Sequence, residues 1–273
     1  MDARVTGGRD ARRRHPVRRL AVVLLVCVLV TVAALFAIRR WQEITAGPAP
    51  PAGWMSWALL DRHSGTVTGS ANLDTAASTE SMVKAWIAAD DLRQLAVRGL
   101  RPDDDEIAAL AAMVRDSDDR AAQSIYLRDG GDQVIERLVS ICGLTGTAVH
   151  PNWWSLTRMP ARDAARMGAC IADGRAAGPQ WTPWLLDQMR QVRGEGRFGI
   201  VSAFPPERAA TLAIKNGWTL HEPGDEWSVN CLAIDADWVL AVEVRYPPAL
   251  GGLAHGARIC ADVARDHVAA AVT

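Results

Sequence analysis

The sequence predicts an α/β (α+β) fold: an antiparallel sheet flanked by terminal helices, with a helical lobe inserted into it and one transmembrane helix ahead of it. Three observations predict it. Strand-like alternation occupies both ends of residues 54–273, while about 81–200 between them keeps helical spacing. An uncharged run of 19 residues, 20–38, follows a cluster of arginines. The 273 residues are 49% hydrophobic and 22% charged, enough apolar mass for a real core and outside the collagen-like, disordered and small disulfide-scaffold classes.

The chain opens on a basic tail, residues 1–19, with seven arginines (Arg4, Arg9, Arg12, Arg13, Arg14, Arg18, Arg19). The run 20–38 would extend roughly 28 Å as a helix, close to the hydrocarbon thickness of a bilayer. Only Arg39 and Arg40 follow it closely, so the positive-inside bias keeps the N-terminus cytoplasmic and exports the rest to the far side of the membrane. A cleaved signal peptide fits less well, because the run is long and no small-x-small site follows it cleanly. Cys27 within it reads as apolar filler. Residues 39–53, rich in Pro, Ala and Gly, read as a linker. Nine Arg against three acidic groups leave 1–53 at +6 and 54–273 at −7. So acidic a body argues against nucleic-acid binding, which needs clustered Lys and Arg.

Residues 54–61 and 66–70 read as strands around a His63-Ser64-Gly65 turn. Helical spacing begins at Ser81 and runs to about 98. Asp103 can cap a helix to 115, with three acidic residues in its first turn. Further helices are expected over 118–128, 131–142, 161–174 and 179–190. Strands follow over 211–214, 227–234 and 238–246, then a closing helix over 253–270. Cys142, Cys170, Cys231 and Cys260 are an even set in an oxidising space. Three pairings are open. A sheet-to-helix Cys231–Cys260 bridge is the natural one and leaves Cys142–Cys170, each closing about 30 residues and worth roughly 3 kcal/mol. A metal site lacks CxxC or HxxxH spacing. Neither metal nor cofactor is expected.

Lysine carries the chemical signal. Of 30 basic residues only Lys84 and Lys215 are Lys, and Lys can surrender its proton when buried or flanked by a cation, whereas Arg cannot. Ser81-Met82-Val83-Lys84 sets a hydroxyl and an amine one helical turn apart. A neutral Lys there could activate the Ser, and the helix start could stabilise an oxyanion. Ser117-Asp118-Asp119 sits at a helix junction, where a plain N-cap is the bland reading. Lys215-Asn216-Gly217 closes a strand, where a terminating turn is the bland reading.

Taken in this order and spacing, the three motifs resemble the serine β-lactamase and penicillin-binding-protein superfamily, most closely its class A type, with S-x-x-K, S-D-N and K-T-G. The resemblance covers about 54–273. It implies that Ser81 attacks a carbonyl with Lys84 as proton acceptor and that Ser117 hands a proton to the leaving nitrogen. Lys215 would supply a second positive charge. Asp119, Asn216, Gly217 and Trp218 would contact substrate, with the Ser81 and Trp218 N–H groups as oxyanion hole. A small-molecule or peptidoglycan-like substrate is implied.

Four departures stand out. Residues 143–162 contain no Asp or Glu, so the deacylating base of the class A type is missing. Asp119 replaces an amide, Asn216 a hydroxyl and Trp218 a small residue. His150 could stand in as base but reads as a solvated loop residue. Trp153 and Trp154 read as packing residues before cleft walls, and Ser78 lacks a Lys three positions on. The expectation is a serine acyl-enzyme hydrolase with slow deacylation; the alternative is a non-catalytic envelope protein that keeps the fold for binding.

Overall fold

A computed structural model describes residues 53–222 and 225–268, together with Thr31. The basic tail, the run 20–38 as a span and the linker up to 52 lie outside the described residues. Among those described, no helix is long and apolar enough to cross a membrane.

In chain order the elements are β1 Trp54–Asp61, β2 Val67–Gly69, β3 Ala76–Ser78, a 3-10 turn Glu80–Val83, α1 Lys84–Val97, α2 Asp104–Arg115, α3 Asp119–Arg128, α4 Gln133–Cys142, a 3-10 turn Trp154–Leu156, β4 Arg158–Pro160, α5 Ala161–Ala172, α6 Thr182–Arg190, α7 Pro206–Ala209, β5 Ala213–Ile214, β6 Gly217–His221, β7 Glu226–Ile234, β8 Trp238–Tyr246 and α8 Leu253–His267. The main sheet runs β2-β1-β8-β7, with β5 and β6 both along the outer edge of β7, and every pairing is antiparallel. The expected architecture is therefore present, with α8 on one face of the sheet. The N-terminal helix expected beside it falls outside the described residues, and α5 of the helical lobe covers the other face.

Two helix glycines permit this sandwich. A Cβ at Gly168 of α5 would stand 2.6 Å from Val239, and one at Gly256 of α8 would stand 2.7 Å from Val229. Covered on both faces, β8 is buried along its whole length. That is why its sequence reads as nearly continuous apolar residues. The helical lobe closes a first core around Trp86, Met113 and Met159 against one face, and α8 closes a second around Tyr246 and Cys260 against the other.

Local chemistry fixes the helix starts. Asp103 accepts from the Glu106 N–H while Glu106 reaches back to the Asp103 N–H, a capping box. Asp118 caps α3 through the Ala121 N–H at 2.8 Å. Both cysteine pairs are joined as expected, Cys142–Cys170 between α4 and α5 and Cys231–Cys260 between β7 and α8.

One expectation is corrected and two features are added. The helix predicted from Ser81 begins at Lys84, and Ser81 sits in the 3-10 turn ahead of it. Lys215-Asn216-Gly217 follows the end of β5 at Ile214 as expected, but the chain does not turn away there and resumes along β7 as β6. Ala213 lies opposite Ile234 and Gly217 opposite Asn230, so β5 and β6 share one unbroken register with β7. The pair β3–β4, absent from the sequence reading, forms a two-stranded ribbon that delivers the chain to the Ser81 turn.

Candidate active site

Strand alternation builds the site from β5 to β6. Successive side chains of a strand face opposite ways. Ala213 belongs to the core of the helical lobe and Ile214 to the core under α8. Lys215 therefore turns toward the lobe, where its Nζ donates to Ser117 Oγ at 3.0 Å and to Asn216 O at 3.1 Å. Asn216 turns the other way, and its amide donates to Gly196 O and Phe198 O, both at 2.9 Å.

At Gly217 the strand meets the turn carrying Ser81. A Cβ there would stand 2.6 Å from Met82 N and Thr79 O, and 2.7 Å from Ser81 N. Glycine is required by this approach of two backbones, and it brings the Ser81 and Trp218 N–H groups onto neighbouring stretches of chain. The turn itself is strained: Glu80, just before Ser81, has φ +49°. Its buried carboxylate is bonded to His221 Nε2 at 3.0 Å, which ties the turn to the far end of β6.

Ser117 joins the two lysines. Lys84 Nζ donates to Ser117 Oγ at 3.2 Å, to the Ser117 carbonyl and to Asp119 Oδ1 at 2.6 Å. Ser117 adopts φ +60°, a left-handed conformation uncommon outside glycine, and in it both of its oxygens reach Lys84. Both lysines are fully buried. Burial pushes the Lys84 amine below its ordinary pKa while Asp119 pulls it back up. Burial and the nearby Lys84 charge hold Lys215 well below its ordinary value. This is the environment in which an amine can exchange protons with a hydroxyl.

Above these groups lies a cleft of about 700 Å³, lined among others by Ser81, Asp119, Gln123, Trp153, Trp154 and Trp218. The Trp154 ring is centred 5.1 Å from Lys84 Nζ, and its Nε1 donates to Gln123 Oε1 at 3.0 Å. The Trp218 ring meets Phe198 edge-on at 5.5 Å.

Ser81, Asp119 and Trp218 thus line one cleft, and Lys84, Ser117 and Lys215 are bonded together beneath it. Asn216 is not at the cleft, because alternation turns its amide to the opposite face. Gly217 contributes backbone proximity. Ser81 makes no side-chain hydrogen bond to Lys84 among the described residues; the three donors of Lys84 go to Ser117 and Asp119. Trp153 is an exposed cleft wall, and the buried Trp154 both packs in the core and walls the cleft. His150 is exposed and does not line the cleft, and Ser78 faces Ser228 and Arg245. Sequence reasoning missed the Glu80–His221 tie. The glutamate stands next to Ser81, but its partner lies at the end of β6, a strand absent from the sequence expectations.

No protein-family model matches the sequence, and neither does any curated protein. Solved structures do match. A β-lactamase from Chitinophaga pinensis superposes with a TM-score of 0.66 at 15% identity, over 80% of this chain and 94% of that one. The class A β-lactamase from Mycobacterium abscessus gives 0.64 at 16%, over 81% and 95%. A variant of the last common ancestor of Gram-negative bacteria class A β-lactamases gives 0.63 at 19%, over 81% and 93%. The fold of this chain is the class A β-lactamase fold.

Proposed function

We propose that this protein is a serine acyl-enzyme hydrolase for β-lactam or D-alanyl peptide-like amides, held at the outer side of a membrane by residues 20–38, and slow to deacylate. The observation that carries the reading is the Ser117 hydroxyl shared between two buried lysines, at 3.2 and 3.0 Å, beside the strained turn bearing Ser81. Ser81 Oγ attacks the carbonyl as its proton passes to Lys84. The Ser81 and Trp218 N–H groups receive the oxyanion. The C–N bond then breaks, Ser117 hands its proton to the departing nitrogen and takes one back from Lys84 across their 3.2 Å bond, and an ester on Ser81 remains. Lys215, held well below its ordinary pKa by burial and by the Lys84 charge, bonds the Ser117 hydroxyl from the other side.

Hydrolysis of that ester needs a water and a base. The loop 143–162 supplies neither Asp nor Glu, and the space over Lys84 holds the Trp154 indole. A long-lived ester follows.

Intact-protein mass spectrometry with benzylpenicillin tests the reading. Wild type gains the mass of one penicillin and keeps it for hours, whereas Ser81→Ala gains none. An adduct that survives Ser81→Ala overturns the nucleophile. No adduct on wild type favours the second reading, a non-catalytic envelope module, which the Lys84–Asp119 contact and the inward-turned Asn216 support.

A further inference from the structure

Asp119 joins two features that are not ordinarily combined. Its Oδ1 touches Lys84, which is fully buried, yet its own side chain is 80% exposed to the cleft. The leaving-group end of the cleft is marked by Ser117 Oγ and Lys215 beneath it. The remaining wall, with Gln123, Ser124, Leu127 and Trp153, is left for the acyl half of a substrate, and Asp119 stands at its head in the first turn of α3. The donors at the floor that would meet an anion are already engaged: Lys215 by Ser117 and Asn216, and Asn216 by Gly196 and Phe198.

We propose that Asp119 is a cation subsite, selecting acyl donors that carry an amine on the acyl half close to the reacting carbonyl. The assignment rests on the acyl-enzyme reading above. In the free protein Asp119 holds the Lys84 ammonium and keeps it from acting as base. A substrate ammonium that takes over the exposed carboxylate competes with that contact and repels a proton on Lys84, so the right substrate itself releases the base. The other charges facing Lys84 are Asp118 from the start of α3 and Lys215 from the strand. Elsewhere in the cleft, Glu80 is tied to His221, and Arg120 is the cation that would favour the opposite preference.

The test uses three penicillins on the full chain at pH 6.5, alike except at one carbon of the phenyl-bearing side chain. Benzylpenicillin carries hydrogen there, ampicillin an ammonium and carbenicillin a carboxylate. Adduct formation is timed by intact mass. Ampicillin is expected to load at least fivefold faster than benzylpenicillin, and carbenicillin slowest. Asp119→Asn brings the three within about twofold of one another, and moves the rising limb of benzylpenicillin acylation to lower pH because Lys84 loses its neighbouring anion. Arg120→Gln leaves the order unchanged. Carbenicillin loading fastest, or an ammonium preference that survives Asp119→Asn, overturns the subsite while leaving the acyl-enzyme intact. No adduct with any of the three overturns the acyl-enzyme reading and the subsite with it. The wild-type series stands independently of how well any variant folds.

Discussion

Lys84 and Lys215 show how far single residues could be read. Two lysines among thirty basic residues were a visible anomaly, and the fold brings both to one hydroxyl. Asn216 was not legible in the same way, since its direction depends on strand alternation that starts before it and on carbonyls eighteen and twenty residues upstream. Trp154 likewise takes its place over Lys84 from the path of a loop, which no local pattern records. Two predictions belong to this scale. Lys84→Arg keeps the charge but cannot give up a proton, so the rate of adduct formation falls by about 10²- to 10⁴-fold, read by intact mass against time. Trp154→Glu puts a carboxylate where the indole shields Lys84, and the lifetime of the penicillin adduct shortens at least tenfold.

At the level of elements, long periodic segments were readable and close approaches were not. The strands at 54–61 and 238–246 match their expected limits, and α2 starts at its expected cap. The strand β6 was missed because its first residue is glycine, read as a turn when its purpose is contact with the chain at 79–82. Gly217→Val therefore forces β6 away from the Ser81 turn. Adduct formation should be abolished while the circular dichroism spectrum of the folded protein persists. Asp103→Ala, by contrast, removes a cap remote from the cleft. It should lower stability by about 1 kcal/mol in urea unfolding without changing the acylation rate.

Across the whole molecule, the sheet hides an acid that titrates with folding. Glu243 of β8 is fully buried, and neither carboxylate oxygen has a hydrogen-bond partner among the described residues. Burial, partly offset by Arg245 and Arg158, pushes its carboxyl up to about 8 from an ordinary 4.5. The folded chain thus keeps a proton that the unfolded chain releases. The stabilisation from this group is complete below about pH 4.5 and fades as pH rises to about 8. Melting temperatures of wild type and Glu243→Gln across that window should diverge, with the variant curve flatter and its advantage greatest at the alkaline end. The constant register of 213–214 and 217–221 against β7 has a different kind of consequence. Inserting a single residue between Ile214 and Gly217 would leave every amino acid of the site in the sequence and still disarm it. From that point the parity of the strand inverts, and whatever lies downstream of the insertion exchanges inside for outside. Spacing along this edge is as much an ingredient of the chemistry as the amines themselves.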